Sequence, residues 1–437
     1  MTGNFARLSA IALAVASVAG TLHAATEADV EKSFFPYKNG VPTAPGVTPG
    51  TVINKSNASS FEAVLDPALQ RHLQEGAVEV TVGTTTSLGV NKSYVEATTQ
   101  NVGKVKLGAK PGELNGYVGG RPFPEEPDAA DPRAGEKLAW NYRYGINWGD
   151  GLAISPFYWQ YRNMDSGKVE RNILFNFYFL KYSHRVSQAP MPEITPNPSK
   201  LYRATYVNVQ EPQDVKNTQL LIQRYEDDLK QDDAYLYLGF QRRVRRLSTG
   251  QTTDAFLGSD IMIEDFEGYN GRISDMNWKY KGTANMLMPY YNHNDMKLSD
   301  EYKEPDGYKY VSFGGQGGCF PNITWQLRKV YILESSPLDP NHPVSKRVHY
   351  MDAQTSAMSR TLVYDRKGDL WKIFMVGVSD PDFHLPKNKG SGIALFDSFS
   401  MIDVQAKHCT TGQFKGQHDP QMVPVNLFSV QNMRGGN

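Results

Sequence analysis

Cysteine is scarce in this 437-residue chain, with two in all, Cys319 and Cys409. Two thiols rule out a disulfide-dense scaffold and any four-cysteine zinc site. Neither sign of charge is in excess, 46 Lys and Arg standing against 46 Asp and Glu. That balance argues against a nucleic-acid binder held by phosphate contacts. Long apolar runs are missing too: beyond residue 25 no stretch reaches the roughly eighteen apolar residues of a membrane span. The chain holds no Walker loop, GxSxG elbow or HExxH helix. "GGQGG" lacks the Lys-Ser/Thr that would make it a phosphate loop. Internal repeats and low-complexity tracts are absent as well.

The chain begins MTGNFARLSAIALAVASVAGTLHAA. Arg7 supplies a basic start, Leu8 to Gly20 is a short apolar stretch, and small residues follow at Ala24 and Ala25. This reads as a signal peptide over residues 1–24, cut near Ala24, with the periplasm as destination. An uncleaved anchor is the alternative. In an oxidising compartment Cys319 and Cys409 are expected to pair, closing a loop worth about 4–5 kcal/mol. The competing reading makes Cys319 of "GGQGGCF" a nucleophile, yet no His or acid stands at a spacing that ties to it. The glycines more simply permit a tight turn.

Residues 25–135 are rich in Pro, Gly, Thr and Ala and read as an irregular, helical wrap. "FEAVLDPALQRHLQEGA" suits an amphipathic helix interrupted near Pro67. "NKSYVEATTQNVGKV" reads as a second short helix, and Asp131 and Pro132 as the cap and first residue of a third. From about 150 strands take over: "ISPFYWQYR", "ILFNFYFLKY", "LYRATYVNV", "NTQLLIQRY", "DAYLYLGFQRRVRRL", "YKYVSF", "TWQLRKVYILES" and a closing meander of "KRVHYMD", "SRTLVYD" and "DLWKIFMV". Short polar turns such as "MDSGK" and "DRKG" imply antiparallel pairing. Roughly nine or ten strands predict a sheet that curls or closes. The fold class is mainly β, with residues 136–437 as the sheet domain.

"ILFNFYFLKY" raises the functional question. One face carries Ile173, Phe175, Phe177, Phe179 and Lys181; the other carries Leu174, Asn176, Tyr178, Leu180 and Tyr182. A strand wet on one side shows one polar face, and this one shows none. Phe157, Trp159 and Tyr161 of the preceding strand are placed to share a side with Phe175, Phe177 and Phe179. These six are candidate walls of a cavity for an apolar ligand, the alternative being an ordinary packed core. Arg243 and Arg245 share a strand face and are candidates for a polar head group or a partner; the competing reading pairs the Arg cluster with carboxylates in "DIMIEDFEGYNG". "HND" at His293, Asn294 and Asp295 offers metal-ligand types but reads as a solvated loop. Asp227, Asp228, Asp232 and Asp233 read as a hairpin turn with its charges in water. No catalytic residue, metal or cofactor is expected.

Three stretches carry a family resemblance: "GYVGGRPFPEEPDAADPRAGEKLAWNYRY", "QDDAYLYLGFQRRVRRL…GSDIMIEDFEGYNG" and "KRVHYMDAQTSAMSRTLVYDRKGDLWKI". Together they resemble the bacterial periplasmic family called domain of unknown function 1329, itself similar to the LolA/LolB-like carriers that sort outer-membrane lipoproteins. The Arg-Arg-Val-Arg-Arg stretch and the following Asp260 and Asp265 match its pattern, while Gly239 stands where many members have proline. The resemblance implies a half-open antiparallel barrel plugged by helices and able to shelter an acyl or other hydrophobic ligand. It brings no catalytic residues. It also implies partners: an inner-membrane resistance-nodulation-division type exporter and an outer-membrane protein. The leading reading is a periplasmic carrier of a lipid or other apolar compound, with one face of residues 173–182 lining the interior and the N-terminal wrap covering the other. An accessory subunit of an envelope transporter with a filled core is the alternative, and a periplasmic enzyme the third.

Overall fold

The computed structural model describes residues 25–248 and 252–434. The expected signal peptide, residues 1–24, lies outside them. Among the described residues no helix is long and apolar enough to cross a membrane.

The strand alternation of "ISPFYWQYR" and "ILFNFYFLKY" builds a long antiparallel hairpin. We label the longer strands in chain order: β1 Val80–Gly83, β2 Gly151–Asn163, β3 Val169–Lys181, β4 Leu201–Glu211, β5 Gln219–Tyr225, β6 Asp233–Leu238, β7 Arg243–Arg246, β8 Met276–Met288, β9 Thr324–Pro337, β10 Val344–Asp352, β11 Met358–Asp365, β12 Leu370–Ser379, β13 Leu395–Asp403 and β14 His408–Gln417. They belong to one sixteen-stranded sheet. One arm is the meander β2 to β7 and the other the meander β9 to β14. The last strand joins the first, β14 pairing with β2 from His408 opposite Asn163 to Gln417 opposite Ala153. β7 ends one side; β1 and β8 both pair with β9 at the other. The sheet therefore curls without closing. It is mixed, because β1 runs parallel to β9 and Tyr290–Tyr291 runs parallel to the end of β12.

Four of these strands are absent from the sequence-based reading: β1, β8, β13 and β14. "DAYLYLGFQRRVRRL" is also not one strand. It folds back between Leu238 and Arg243 into the β6–β7 hairpin, with Arg242 in the left-handed region at φ 49°.

Both faces of β3 are covered, as its composition demands. Ile173, Phe175, Phe177 and Phe179 enter the main core with β2 and the inner side of the other arm. The opposite face packs differently from expectation. Leu180 and Tyr182 meet Ile194, Val423, Phe428 and Met433. The covering therefore comes from the 183–200 loop and the C-terminal tail. The N-terminal segment lies elsewhere, its Leu65, Leu69 and Leu73 packing on Leu287, Trp325 and Leu327 of β8 and β9. The two helices read there are α2 Pro67–Glu75 and α3 Lys92–Asn101, preceded by α1 Glu27–Phe34. Asp66 caps α2 by accepting from Ala68 N and Leu69 N at 3.1 and 2.9 Å, and Pro67 opens it, where a missing N–H costs nothing. Asp131 accepts from Arg133 N, but the helix α4 spans Ala134–Arg143, with Arg133 at its cap position and no side-chain cap, so it starts two residues later than Asp131 and Pro132 suggested.

Cys319 and Cys409 are joined, fixing the "GGQGGCF" turn to β14 and removing the nucleophile reading. The turn requires its glycines: Gly317 sits at φ 65°, and a Cβ there would lie 2.6 Å from Met164 Cα.

Candidate functional site: a plugged aromatic trough

On the inner face, β2 and β3 pair Phe157 with Phe175, and β3 and β4 pair Phe177 with Val207 and Phe179 with Thr205. Paired residues share a face, so the aromatic row predicted from alternation is continuous across strands. Phe157 packs edge-on against Phe175, Phe177 and Phe414, at 4.9, 5.4 and 4.2 Å between ring centres. Such geometries favour aromatic pairs. A void of about 50 Å³ remains inside, lined among others by Phe157, Trp159, Phe177, Phe179, Phe396 and Phe399. Four of the six candidate residues thus line it. Phe175 and Tyr161 are buried beside them in the same cluster, and Tyr161 donates from its hydroxyl to the Leu257 carbonyl at 3.0 Å. The Trp159 indole N–H is buried and finds no acceptor among the described residues.

The trough is covered by the described residues 252–275 between β7 and β8, mainly two 3-10 turns, Phe256–Gly258 and Ile263–Gly268. Phe256, Ile261, Ile263 and Phe266 enter the main core from it. Gly268, at φ 100°, brings this plug against the sheet; a Cβ there would lie 2.7 Å from the Met358 carbonyl oxygen. Carboxylates moor the plug at its edges. Asp260 Oδ2 lies 2.7 Å from His408 Nδ1 and accepts from the Thr410 hydroxyl. Arg347, fully buried, donates to both Glu264 and Asp265 at 2.8 Å. Burial pushes the Glu264 carboxyl up, but the Arg347 charge and the His342 contact outweigh it and bring it down to about 2. Arg203 grips Glu267, which also accepts from the Trp148 indole N–H at 2.7 Å.

These contacts decide the fate of the Arg cluster. The downstream carboxylates are held by Arg347, Arg203 and His408, whereas Arg243 and Arg245 lie exposed on β7 and do not line the void. Arg246 instead pairs with Asp233. The acidic turn is not simply solvated either: Asp228 is buried on Arg143 at 2.7 Å, and Asp232 holds Arg224 at 2.5 Å.

At the Lys181 end the trough meets a small polar chamber of about 20 Å³, bounded by Asp150, Lys181, Arg203 and Glu267. Lys181 Nζ is 4.0 Å from Asp150 Oδ1 and 3.5 Å from the Gly145 carbonyl. Asp150 Oδ1 is buried without a hydrogen bond, while Oδ2 accepts from Val186 N, Ser187 N and Gln188 N. Burial lowers the Lys181 ammonium to about 8, partly offset by Asp150.

His293, read as part of a solvated loop, is buried with His384 and Asp397. Both its ring nitrogens face acceptors, Asp397 Oδ2 at 2.8 Å and the Lys309 carbonyl at 2.9 Å, so both donate and the ring is an imidazolium. Burial opposes that charge, and Asp397 overcomes it and raises the pKa. The three side chains have metal-ligand chemistry, but their hydrogen bonding is already complete. Asn388 accepts from His418 N and donates to the Gly416 carbonyl, which fixes its amide; its Nδ2 then donates to His384 Nδ1 at 3.0 Å. His384 therefore carries its proton on Nε2, facing the Tyr308 hydroxyl at 2.9 Å, and offers no lone pair there to a cation. The cluster ties the 290–312 segment to β13 and β14.

Sequence reasoning missed Trp148, Arg203 and Glu267. Only Lys181 left a trace, as the charged end of an otherwise apolar alternation.

Fold and site together define a β protein of the curled-sheet kind, with an aromatic trough beneath an irregular plug. The chain belongs to the DUF1329 family, proteins of unknown function, whose match spans residues 52–434. It is 29% identical over 148 residues to an uncharacterised protein of Pseudomonas aeruginosa, a stretch covering 32% of this chain and 30% of that relative. It is similar to a DUF1329 family protein of Desulfovibrio piger, at 18% identity and TM-score 0.48, over 70% of this chain and 100% of that one. It is also similar to a LolA superfamily protein of Nitrosomonas europaea, at 11% identity and TM-score 0.36, over 65% and 91% of the two chains.

Proposed function

We propose that this chain is a periplasmic carrier that binds a hydrophobic ligand, a lipid, acyl chain or other apolar compound, in the aromatic trough. The observation that carries the reading is the cover. An inner face of stacked rings is closed by one irregular segment with its own apolar side chains, moored at its edges by ion pairs. A permanent core is more simply sealed by a regular element. The void of about 50 Å³ holds no more than one or two waters, whereas pockets for drug-sized ligands run to about 300–1,000 Å³. Loading therefore requires the plug to lift, and the ligand must favour the lifted state by its contacts with the rings. The small void equally suits the second reading, an accessory subunit of an envelope transporter with a filled core. Handing ligand between an inner-membrane resistance-nodulation-division type exporter and an outer-membrane protein is the setting that the family resemblance implies.

Extraction and mass spectrometry of lipids that co-purify with the protein tests the carrier reading, together with titration by the neutral apolar fluorophore N-phenyl-1-naphthylamine. Saturable binding that strengthens in Phe266→Ala, whose plug fills less of the trough, is the expected result. No co-purifying lipid and no saturable binding by wild type or Phe266→Ala would leave the accessory subunit.

A further inference from the structure

The trough is not apolar from end to end. On the inner face of β3 the order Phe175, Phe177, Phe179 ends in Lys181, and Lys181 pairs across the strands with Arg203. An apolar row capped by two cations, the buried Lys181 and the half-buried Arg203, has the layout of a tail site and a head-group site. Arg203 is stacked over the Phe179 ring at 4.8 Å, so the two sites are contiguous.

The plug presents to this layout a side-chain pair of matching order. Phe266 sits among the rings, 5.7 Å from Phe177 between ring centres. The next residue, Glu267, places its carboxylate on Arg203 and on the Trp148 indole N–H. Reaching both places takes unusual backbone. Glu267 lies at φ 61° and Trp148 at φ 74°, both in the left-handed region that non-glycine residues avoid. Beyond the carboxylate, the Lys181 ammonium and the bare Asp150 oxygen face each other across the polar chamber.

We infer that the ligand is a single-chain amphiphile with a carboxylate head, that Arg203, Trp148 Nε1 and Lys181 form its head-group site, and that Phe266 and Glu267 are the plug's built-in occupant of that same site. This rests on the carrier reading and adds the ligand class. A carboxylate is the matching head because a planar carboxylate already accepts from guanidinium and indole there. The ligand displaces Glu267, and its chain takes the space that Phe266 vacates.

The test compares dodecanoate, dodecyl phosphate and dodecanol as competitors of N-phenyl-1-naphthylamine on wild type, Glu267→Gln and the double variant Arg203→Met/Glu267→Gln. The double variant keeps the charge balance, so no buried ion is left alone. In Glu267→Gln the guanidinium is freed, and dodecanoate should bind roughly tenfold or more tighter than to wild type and than dodecanol does. The preference for dodecanoate over dodecanol should collapse toward unity in the double variant. Equal binding of dodecanoate and dodecanol by Glu267→Gln would overturn the head-group inference while the carrier reading stood. Dodecyl phosphate preferred over dodecanoate would overturn the carboxylate assignment. If no variant bound any of the three or the fluorophore, the carrier reading itself would fall.

Discussion

Phe177 meets other aromatic rings in several directions: Phe157, Phe175 and Phe179 along the sheet and Phe266 above. It also borders the void, so the side chain is well but not completely enclosed. Truncation removes a large apolar group from a packed site, and Phe177→Ala is expected to cost about 3–5 kcal/mol. Denaturant unfolding monitored by tryptophan fluorescence measures it. A cost below 1 kcal/mol would mean that the rings seen in contact are not held there in solution. Asp66 shows how one side chain serves two levels of structure. It caps α2 and, through its carboxylate, binds the buried Arg360 at 2.7 Å, so the local helix start also attaches the N-terminal segment to β11.

Arg347 of β10 is the strongest mooring of the plug, because one guanidinium neutralises two carboxylates away from water. Arg347→Met keeps the bulk but leaves Asp265 without a cation and Glu264 with His342 alone, and breaking a buried pair from one side costs about 3–5 kcal/mol. If the plug lifts as a unit, part of that loss should appear as local opening. Amide exchange should then accelerate over residues 255–268 more than in β13 or β14, read by hydrogen–deuterium exchange. Uniform acceleration throughout the sheet would mean that the plug belongs to the global folding unit and does not act as a cover. The disulfide works at the same scale. It joins residues 90 apart in sequence, so Cys319→Ser/Cys409→Ser is expected to lose about 4–5 kcal/mol in the chain-entropy model. Equilibrium unfolding under non-reducing conditions checks this.

For the whole molecule, acid sensitivity follows from histidines held neutral. Burial lowers His72 and His418 from 6.5 to about 4, Arg360 adding to the effect at His72. His184, His349 and His384 are lowered as well, chiefly by burial. A histidine lowered on folding contributes stability that is full above its unfolded value and is withdrawn as pH falls toward the folded value. His72 alone would withdraw about 3 kcal/mol by pH 4. The His293–Asp397 pair has the opposite histidine sign. Its His293 contribution is complete below 6.5 and fades as pH rises through the raised value, while the lowered Asp397 contribution fades only in stronger acid. Thermal melts should therefore show Tm falling between pH 6.5 and 4, ahead of most carboxylate protonation. A flat Tm over that interval would contradict the burial of these rings.

Period-two alternation alone placed Phe157, Trp159, Phe175, Phe177 and Phe179 on one face, because side-chain direction along a strand is a local property. The turn in "GGQGGCF" was legible for the same reason, whereas the helix read as interrupted near Pro67 in fact begins there, with Asp66 as its cap. β13 and β14 were not legible. Their buried Asp397, Ser398 and Gln413 look like solvent-facing residues until Tyr291, Tyr308, His293 and Val311 supply hydrogen-bond partners from about a hundred residues away. What covers each face of β3 was equally hidden. The sequence by itself determined that both faces must be covered, since exposing either would forgo several kcal/mol. Only the tertiary structure decided that a carboxylate-moored plug lies on one and the C-terminal tail on the other. Which charges and apolar groups meet across long stretches of chain is settled by packing, and local pattern carries no record of it.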